Sequence, residues 1–258
     1  MSEYPMPHNS IDLSGQVALV TGASSGLGWR FARVLAAAGA SVAIAGRRES
    51  RLEELQALIA EEGGVCAPFV LDMTDSEAVL RVVGKVEDQL GPVTILVNNA
   101  GVPDAQMAMK MPMELIDRVL DTNVKGPFVL ACEVARRLKA NELPGRIVNI
   151  ASVAANTYNG NGAALYSTSK AAVVRMTETL AIEWARFNIN VNAISPGVFE
   201  SEMSDGMIER MGDLASHFPR KRVGHPAQLD STLLYLCSPA SDCVTGSNIV
   251  VDDGQTPR

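Results

Sequence analysis

The sequence predicts an α/β domain with a doubly wound parallel sheet and helices on both faces. Short β-branched runs recur along the 258 residues, and each of the first three is followed by a longer helical pattern. The runs are almost continuously apolar, as expected for strands that are covered on both faces. Strand–helix alternation favours a parallel sheet with right-handed crossovers. With no linker or internal repeat, we expect an extension at residues 1–12 and one domain at 13–258.

About seven strands are expected from these runs. The first three strands with their helices are predicted at 17–20 and 28–38, 42–45 and 51–61, and 65–71 and 76–90. The last four strands are predicted at 93–97, 146–151, 189–194 and 248–251.

Composition excludes several classes of protein. A net charge of -7 with a pI near 5.1 argues against a nucleic-acid partner, which would need a basic face. No run approaches the roughly 18 apolar residues of a membrane span, and residues 1–10 lack the pattern of a signal peptide. Four cysteines without a CxxC pair and three scattered histidines offer no metal cluster. These features favour a cytoplasmic protein with free, buried cysteines.

The first strand leads directly into a glycine-rich turn, Thr-Gly-Ala-Ser-Ser-Gly-Leu-Gly at 21–28, which opens a helix. Glycines allow a backbone to approach a pyrophosphate, and the N–H groups of a helix N-terminus attract its charge. The spacing is GxxxGxG, which differs from the general GxGxxG fingerprint. An ordinary strand-to-helix turn is the alternative interpretation, but the position favours a dinucleotide.

The second strand ends in Ala-Gly-Arg-Arg at 45–48, which bears on cofactor choice. An NAD site usually places a carboxylate at this strand end, whereas arginine binds a 2′-phosphate. Arg47 and Arg48 therefore favour NADP(H), with NAD(H) left open. The alternative is a solvated basic patch paired with nearby glutamates. Asp72, which Met73 follows, either contacts the adenine amino group or caps the helix beginning near Asp75.

Three residues form a candidate catalytic set. Tyr166 and Lys170 are four apart at the start of a helical run, so their side chains share a face. A free tyrosine titrates near 10, and a nearby ammonium lowers that pKa towards the range useful for acid–base chemistry. Ser152 ends a strand and reaches the same crevice, where a hydroxyl can hold a substrate oxygen. The alternative is a loop serine that caps local backbone.

Six motifs in register make the sequence similar to the short-chain dehydrogenase/reductases. They are residues 21–28, Asn-Asn-Ala-Gly at 98–101, Asn123, Ser152, the Tyr166–Lys170 pair and Pro-Gly at 196–197. The resemblance covers residues 13–255 and implies a Rossmann fold and an NADP(H)-dependent oxidoreductase that interconverts a ketone and a secondary alcohol. Residues 196–203 resemble those of 3-oxoacyl-carrier-protein reductases. An NAD-dependent alcohol or hydroxysteroid dehydrogenase and a non-catalytic nucleotide-binding sensor or scaffold are the alternatives.

The resemblance also implies roles for individual residues. Tyr166 would transfer the proton, Lys170 would lower its pKa and bind the nicotinamide ribose, Ser152 would hold the substrate oxygen, and Asn123 would anchor a water. Cofactor contacts would come from the turn (Gly22, Ser24, Ser25, Gly26, Leu27, Gly28), the loop after the fourth strand (Asn99, Ala100, Gly101) and the nicotinamide segment (Pro196, Gly197, Val198, Ser201).

Two departures from the family pattern stand out. The interval from Ser152 to Tyr166 is one residue longer than usual, and Ser25 stands where many NADP-dependent members have a basic residue. A substrate lid is expected at about 199–223, where Met203, Met207 and Met211, with Met107 nearby, either line the pocket or only pack the lid. The basic run 220–222 either binds an anionic carrier phosphate or is simply solvated.

The family resemblance also implies a homotetramer. Its interfaces would use the helix near 113–138, the Tyr166 helix and the last strand, although the apolar end of that strand could equally be core.

Overall fold

The computed structural model describes residues 11–158 and 162–257. The extension predicted at 1–12 therefore lies outside the described residues, except for its last two positions.

Seven parallel strands form one sheet in the order β3-β2-β1-β4-β5-β6-β7. The strands are β1 Val17–Thr21, β2 Ser41–Gly46, β3 Val65–Val70, β4 Ile95–Asn98, β5 Gly145–Ile150, β6 Ile189–Pro196 and β7 Asn248–Val251. The predicted seven-stranded, doubly wound sheet is confirmed. The strand order reverses between β1 and β4, and this reversal opens a crevice at the carboxyl ends of the strands.

Eight helices accompany the sheet within the described residues. They are α1 Gly26–Ala37, α2 Glu49–Glu61, α3 Ser76–Leu90, α4 Met113–Leu120, α5 Gly126–Ala140, α6 Ala164–Trp184, α7 Glu202–Met211 and α8 Asp230–Cys237. The sequence analysis did not predict α8. The single helix expected near 113–138 is instead interrupted by a π-type turn at Asp121–Lys125, which separates α4 from α5.

Successive side chains of a strand point to opposite faces of the sheet. Helices cover both faces of the central strands, so both sets of side chains are buried there. Val17 and Leu19 of β1 pack against α3, α5 and α6, whereas Ala18 and Val20 pack against α1, α2 and α8. This double burial explains why the strands appear in the sequence as continuous apolar runs.

The described ranges, 11–158 and 162–257, contain neither a membrane-spanning helix nor a cluster of metal ligands. None of the helices there is long and apolar enough to cross a membrane. Nor do those ranges bring three or more His, Cys, Asp or Glu side chains together in a way that could hold a metal ion.

Candidate active site

A cavity of about 760 Å³ lies at the strand-order reversal, where loops from the carboxyl ends of the strands meet. Nearly every site residue predicted from the sequence lines this crevice. Gly28 and Asn123 do not line it; both lie behind its wall. The sheet topology therefore brings motifs that are far apart in the sequence together at one crevice.

The glycine turn after β1 is packed so tightly that side chains are excluded. Gly22 has φ +66°, and a Cβ there would lie 2.8 Å from Ala100 Cα. A Cβ on Gly28 would lie 2.4 Å from the Gly22 carbonyl oxygen, so Gly28 permits close packing of α1 and does not contact the crevice. The turn covers Gly28, and its predicted cofactor contact stays a prediction.

The turn is tied to the loop after β4 by side-chain hydrogen bonds. The Asn99 amide donates to the carbonyls of Thr21, at 2.9 Å, and of Gly22, at 3.2 Å. The Thr21 hydroxyl accepts from the N–H groups of Asn99 and Ala100, each at 3.1 Å. Because the Asn99 side chain is used in this way, it fixes the shape of the turn, and Ala100 and Gly101 line the crevice beside it.

The two arginines after β2 differ in their surroundings. Arg48 donates to the Ser24 hydroxyl at 3.2 Å and forms an ion pair with Glu202 of α7 at 2.9 Å. The Arg48 guanidinium also lowers the pKa of Glu202, and a hydrogen bond with Ser25 adds to this effect. Arg47 is exposed, lines the crevice and has no ion-pair partner among the described residues. The predicted patch of arginines paired with local glutamates therefore does not include Arg47.

Asp72 and Met73 line the crevice next to the end of β3. The Asp72 carboxylate accepts from the Thr74 N–H and hydroxyl, both at 2.9 Å. The N-terminus of α3 is instead capped by Asp75, which accepts from the Ala78 N–H at 2.9 Å. The capping interpretation of Asp72 is therefore wrong, while an adenine contact stays a prediction.

Tyr166, Ser152 and Lys170 converge at the other end of the crevice. Burial raises the pKa of the Tyr166 phenol, a hydrogen bond with Ser152 opposes that shift, and the charge of Asp104 raises the pKa further. Ser152 also accepts from the Ala154 N–H at 3.1 Å, so this serine does cap local backbone, while its contact with a substrate oxygen stays a prediction.

Lys170 is only 4% exposed, and its Nζ donates to the Ile150 carbonyl at 2.8 Å. Burial lowers the pKa of Lys170 to about 8. Its Nζ lies 5.7 Å from the centroid of the Tyr166 ring. Lys170 was expected to lower the Tyr166 pKa, but burial of the phenol is the dominant effect on that pKa. The Lys170 ammonium instead donates to the carbonyl of Ile150 at the end of β5.

Asn123 lies in the π-type turn between α4 and α5 and is 1% exposed. Its amide nitrogen donates to the Val102 carbonyl and to the Ser169 hydroxyl, each at 3.0 Å, and its Oδ1 accepts from the Val102 N–H at 2.8 Å. Both amide N–H bonds are engaged, so any water held by Asn123 has to bind one of its oxygen atoms. Inserted turns of this type occur frequently at functional sites.

The segment after β6 is fixed by the C-terminal tail. Gln255 accepts from the Val198 N–H at 2.6 Å and donates to the Val198 carbonyl at 3.1 Å. Ser201 caps α7 through a reciprocal pair of hydrogen bonds with Ser204. Pro196, Gly197, Val198 and Ser201 line the crevice as predicted, but sequence analysis missed Gln255, which no motif indicated.

The predicted lid region forms one wall of the substrate end. Met203, Met207, Arg210 and Phe218 line the crevice there, whereas Met107 does not. The side chain of Met211 lies outside the described part of the structure. Arg220 and Arg222 both pair with Asp253, which opposes their predicted contact with a carrier phosphate.

Asp104 is a second residue that sequence analysis missed. It lines the crevice and is only 5% exposed. Its carboxylate accepts from the N–H groups of Leu165, at 2.9 Å, and Tyr166, at 3.0 Å. The sequence offered one signal for it, an aspartate three residues after the Asn-Asn-Ala-Gly motif, whereas its burial is visible only in the structure.

The crevice fits a dinucleotide on structural grounds. The turn around Gly22 lets the backbone approach closely, α1 has no acidic residue in its first turn and no side-chain cap, and Arg47 has no ion-pair partner in the part of the chain that the structure describes. The fold and the site thus fit the class of nucleotide-binding α/β proteins, with Tyr166 as the candidate acid–base group at one end of the crevice.

Comparison with known proteins identifies the family. The family model described as enoyl-(acyl carrier protein) reductase matches residues 22–256. A 3-oxoacyl-[acyl-carrier-protein] reductase of Thermotoga maritima is 38% identical over 247 residues, covering 94% of this chain and 98% of that protein. The chain belongs to the short-chain dehydrogenase/reductase family and is an oxidoreductase acting on CH–OH or C=O groups.

Other relatives differ in the cofactor that their names give. An NAD-dependent glycerol dehydrogenase of Listeria innocua is 35% identical, covering 95% of each chain. A short-chain dehydrogenase/reductase structure from Mycobacterium marinum has a TM-score of 0.92 at 38% identity, covering 96% and 98% of the two chains. A putative 2-deoxy-D-gluconate 3-dehydrogenase from Agrobacterium tumefaciens with bound NADP has a TM-score of 0.87 at 34% identity, covering 96% and 99%.

Proposed function

We propose that this protein is an NADP(H)-dependent ketone reductase, or secondary-alcohol dehydrogenase in the reverse direction, with Tyr166 as the proton-transferring residue. The observation that carries the proposal is the shape of one continuous crevice. One end holds the glycine turn and Arg47, and the other end holds Tyr166, Ser152 and Lys170.

Arg47 is the basis for preferring NADP(H). A guanidinium offers a rigid set of donors that matches a phosphate, and it stays charged at any physiological pH. Gly46 stands at the end of β2, where an NAD site usually has a carboxylate. Ser24, Ser25 and Leu27 would lie along the pyrophosphate, with Asp72 and Met73 at the adenine. The NAD-dependent glycerol dehydrogenase relative keeps the NAD(H) alternative open to test.

The chemistry divides between the nicotinamide and the protein. A bound nicotinamide supplies the hydride that adds to the carbonyl carbon. Tyr166 gives its phenolic proton to the carbonyl oxygen, so that the C=O bond becomes a CH–OH group. Ser152 donates a hydrogen bond to that oxygen while negative charge develops on it. Because burial raises the pKa of the Tyr166 phenol, the free protein holds this group in its protonated form, which can give a proton.

The substrate end favours a partly apolar molecule with an anionic group. Met203, Met207 and Phe218 provide apolar surface, and Arg210 lies on the same wall without an ion-pair partner in the described residues. We therefore propose acetoacetate, its neutral ethyl ester and an acetoacetyl thioester as the first ketones to screen. Faster turnover of acetoacetate than of the ester would support recognition of the anion.

The decisive experiment combines Tyr166→Phe with cofactor binding. We expect kcat with NADPH and the best ketone to fall by about 10²–10⁴-fold, the usual contribution of general acid catalysis. Thermal stabilisation by NADPH should persist, because the substitution removes only the hydroxyl. Tyr235→Phe is the matched control, since Tyr235 is exposed on α8 and lies outside the crevice.

Two results would contradict the proposal. Unchanged turnover in Tyr166→Phe would remove this residue from the reaction. Absence of stabilisation by all four of NADPH, NADP, NADH and NAD would instead favour the non-catalytic alternative.

We further propose a homotetramer built on α4, α5 and α6. Met113, Phe128 and Ile182 are exposed on these helices, with Ile182 83% exposed, which supports burial in an interface. Light scattering of the intact protein tests this assembly. The cytoplasmic location stays a prediction.

A further inference from the structure

The helix that carries Tyr166 begins without a cap of its own. The residue at its N-cap is Ala163, whose side chain cannot accept a hydrogen bond. The first N–H groups of a helix have no partner within the helix, and an N-cap side chain normally accepts from the second or third of them. In α6 these two positions are Leu165 and Tyr166, so an acceptor must come from elsewhere.

Asp104 supplies that acceptor from the loop after β4. A single oxygen, Oδ2, accepts from the N–H groups of Leu165 and Tyr166 at 2.9 and 3.0 Å. The other oxygen accepts from the Ala105 N–H at 2.7 Å, next to the positive φ of +47° at Ala105. The carboxylate thus bonds the crevice loop to the Tyr166 helix across 61 and 62 residues of sequence. A negative charge at a helix N-terminus is also electrostatically favourable.

The other side of this helical turn is held as well. The Tyr166 carbonyl accepts from the Ser169 hydroxyl at 2.7 Å, and that hydroxyl accepts in turn from the buried Asn123 amide at 3.0 Å. The Ser167 hydroxyl donates to the Ala154 carbonyl in the loop after β5. Both main-chain polar groups of Tyr166 are therefore fixed, the N–H by Asp104 and the carbonyl through Ser169.

Besides burial, which is the largest effect, two groups alter the pKa of the Tyr166 phenol: a hydrogen bond with Ser152 lowers it, and the charge of Asp104 raises it. Lys170 lies on the same helix, with its Nζ 5.7 Å from the ring centroid, and donates to the Ile150 carbonyl. Asp104 is the negative one, so its charge disfavours the phenolate and raises the pKa of the phenol.

We propose that Asp104 is a positioning residue for proton transfer. Its carboxylate holds the first turn of α6, and with it Tyr166, at the wall of the crevice and places a negative charge at the N-terminus of this helix. The inference rests on the proposed role of Tyr166 as proton donor. In this arrangement the cap and the charge belong to one side chain, so two substitutions can separate them.

The test compares Asp104→Asn and Asp104→Ala. Asparagine keeps an acceptor for the helix but removes the charge, and alanine removes both. Asp75→Ala is the matched control, because Asp75 caps α3 through its side chain outside the catalytic end of the crevice. Loss of a cap should lower Tm of both alanine variants by about 2–4 °C. Only Asp104→Ala should also lower kcat, by at least about tenfold and with little change in KM, because misplacement affects the transition state.

The ionisation of Tyr166 is measured without turnover. Protein labelled with ¹³C at the tyrosine ζ carbon is titrated by NMR with NADP bound, and Tyr166→Phe assigns the signal. We expect the Tyr166 titration in Asp104→Asn to move to lower pH, and the basic limb of the kcat profile for ketone reduction to move with it. The asparagine variant tests the charge even where the alanine variant does not fold.

Two outcomes overturn the proposal. In one, Asp104→Ala loses stability as Asp75→Ala does but keeps its kcat and its tyrosine titration, so that Asp104 is only a structural cap. In the other, Asp104→Asn leaves the Tyr166 titration unchanged. A shifted titration in a protein whose turnover does not depend on Tyr166 would instead refute the proposed function and leave the Asp104 interaction standing.

Discussion

Arg47→Ala should convert a protein that prefers NADP(H) into one that no longer distinguishes the two cofactors. Arg47 is exposed and has no ion-pair partner within the described residues, so its removal breaks no interaction of the free protein. Hydrogen bonds to a charged group contribute about 1.5–3 kcal/mol, which corresponds to an increase of about 10–150-fold in the Kd for NADPH. Solvent screening at an exposed site favours the lower end of that range.

Thermal unfolding measures this change directly. NADPH at one hundred times the Kd of the unaltered protein adds about 2.7 kcal/mol, or about 5–11 °C in Tm for a chain of this size. At the same NADPH concentration the Tm of Arg47→Ala should rise by only about 1–6 °C, while the rise in Tm caused by NADH stays unchanged. Arg51→Ala is the matched control, because Arg51 stacks on Trp29, pairs with Glu54 and does not line the crevice.

The reasoning fails if Arg47→Ala binds NADPH as tightly as the unaltered protein does. It also fails if NADH stabilises the unaltered protein more than NADPH does. In that second case the dehydrogenase alternative with NAD would become the better description of the protein.

Two further predictions concern stability. Gly22→Ala should destabilise the protein by about 1–3 kcal/mol or more in urea unfolding and weaken cofactor binding, since Gly22 has φ +66° and its Cβ would meet Ala100 Cα. Gly63→Ala, at φ +83° with nothing within 4 Å, shows the backbone contribution alone, and equal losses in both variants would contradict the packing argument. For Lys170, the folded protein releases its proton near pH 8 and the unfolded chain near 10.5. Between pH 8 and 10.5, the unfolding free energy of the unaltered protein should therefore rise by at most about 3 kcal/mol relative to that of Lys170→Met. Parallel plots of unfolding free energy against pH for the two proteins would refute this prediction.

The sequence was most informative where one residue type satisfies a local requirement. Apolar runs identified all seven strands, because strands buried on both faces carry few polar side chains, such as Asn149 and Asn192. The glycines at 22 and 26 indicated the cofactor turn, since both adopt positive φ there. The boundary of β4 was less well predicted, starting at Ile95 and not at 93.

Motifs in register predicted most of the crevice lining but not what each side chain does. Arg47 and Arg48 look equivalent in the sequence, yet Glu202, more than 150 residues away, pairs with Arg48 alone. Similarly, Arg220 and Arg222 resemble a phosphate site in the sequence, yet both form an ion pair with Asp253 in the structure. Partner choice between charges depends on distances that chain order does not contain.

The sequence by itself therefore determined the fold class, the family and most of the residues at the crevice, because periodicity and motif spacing are local properties of the chain. Tertiary structure alone decided that Asp104 caps the Tyr166 helix, that Gln255 holds Val198 and that burial sets the pKa of Tyr166 and Lys170. Each of these features arises when segments far apart in sequence exclude water from one another. Desolvation and long-range hydrogen bonds exist only once the sheet has brought those segments together.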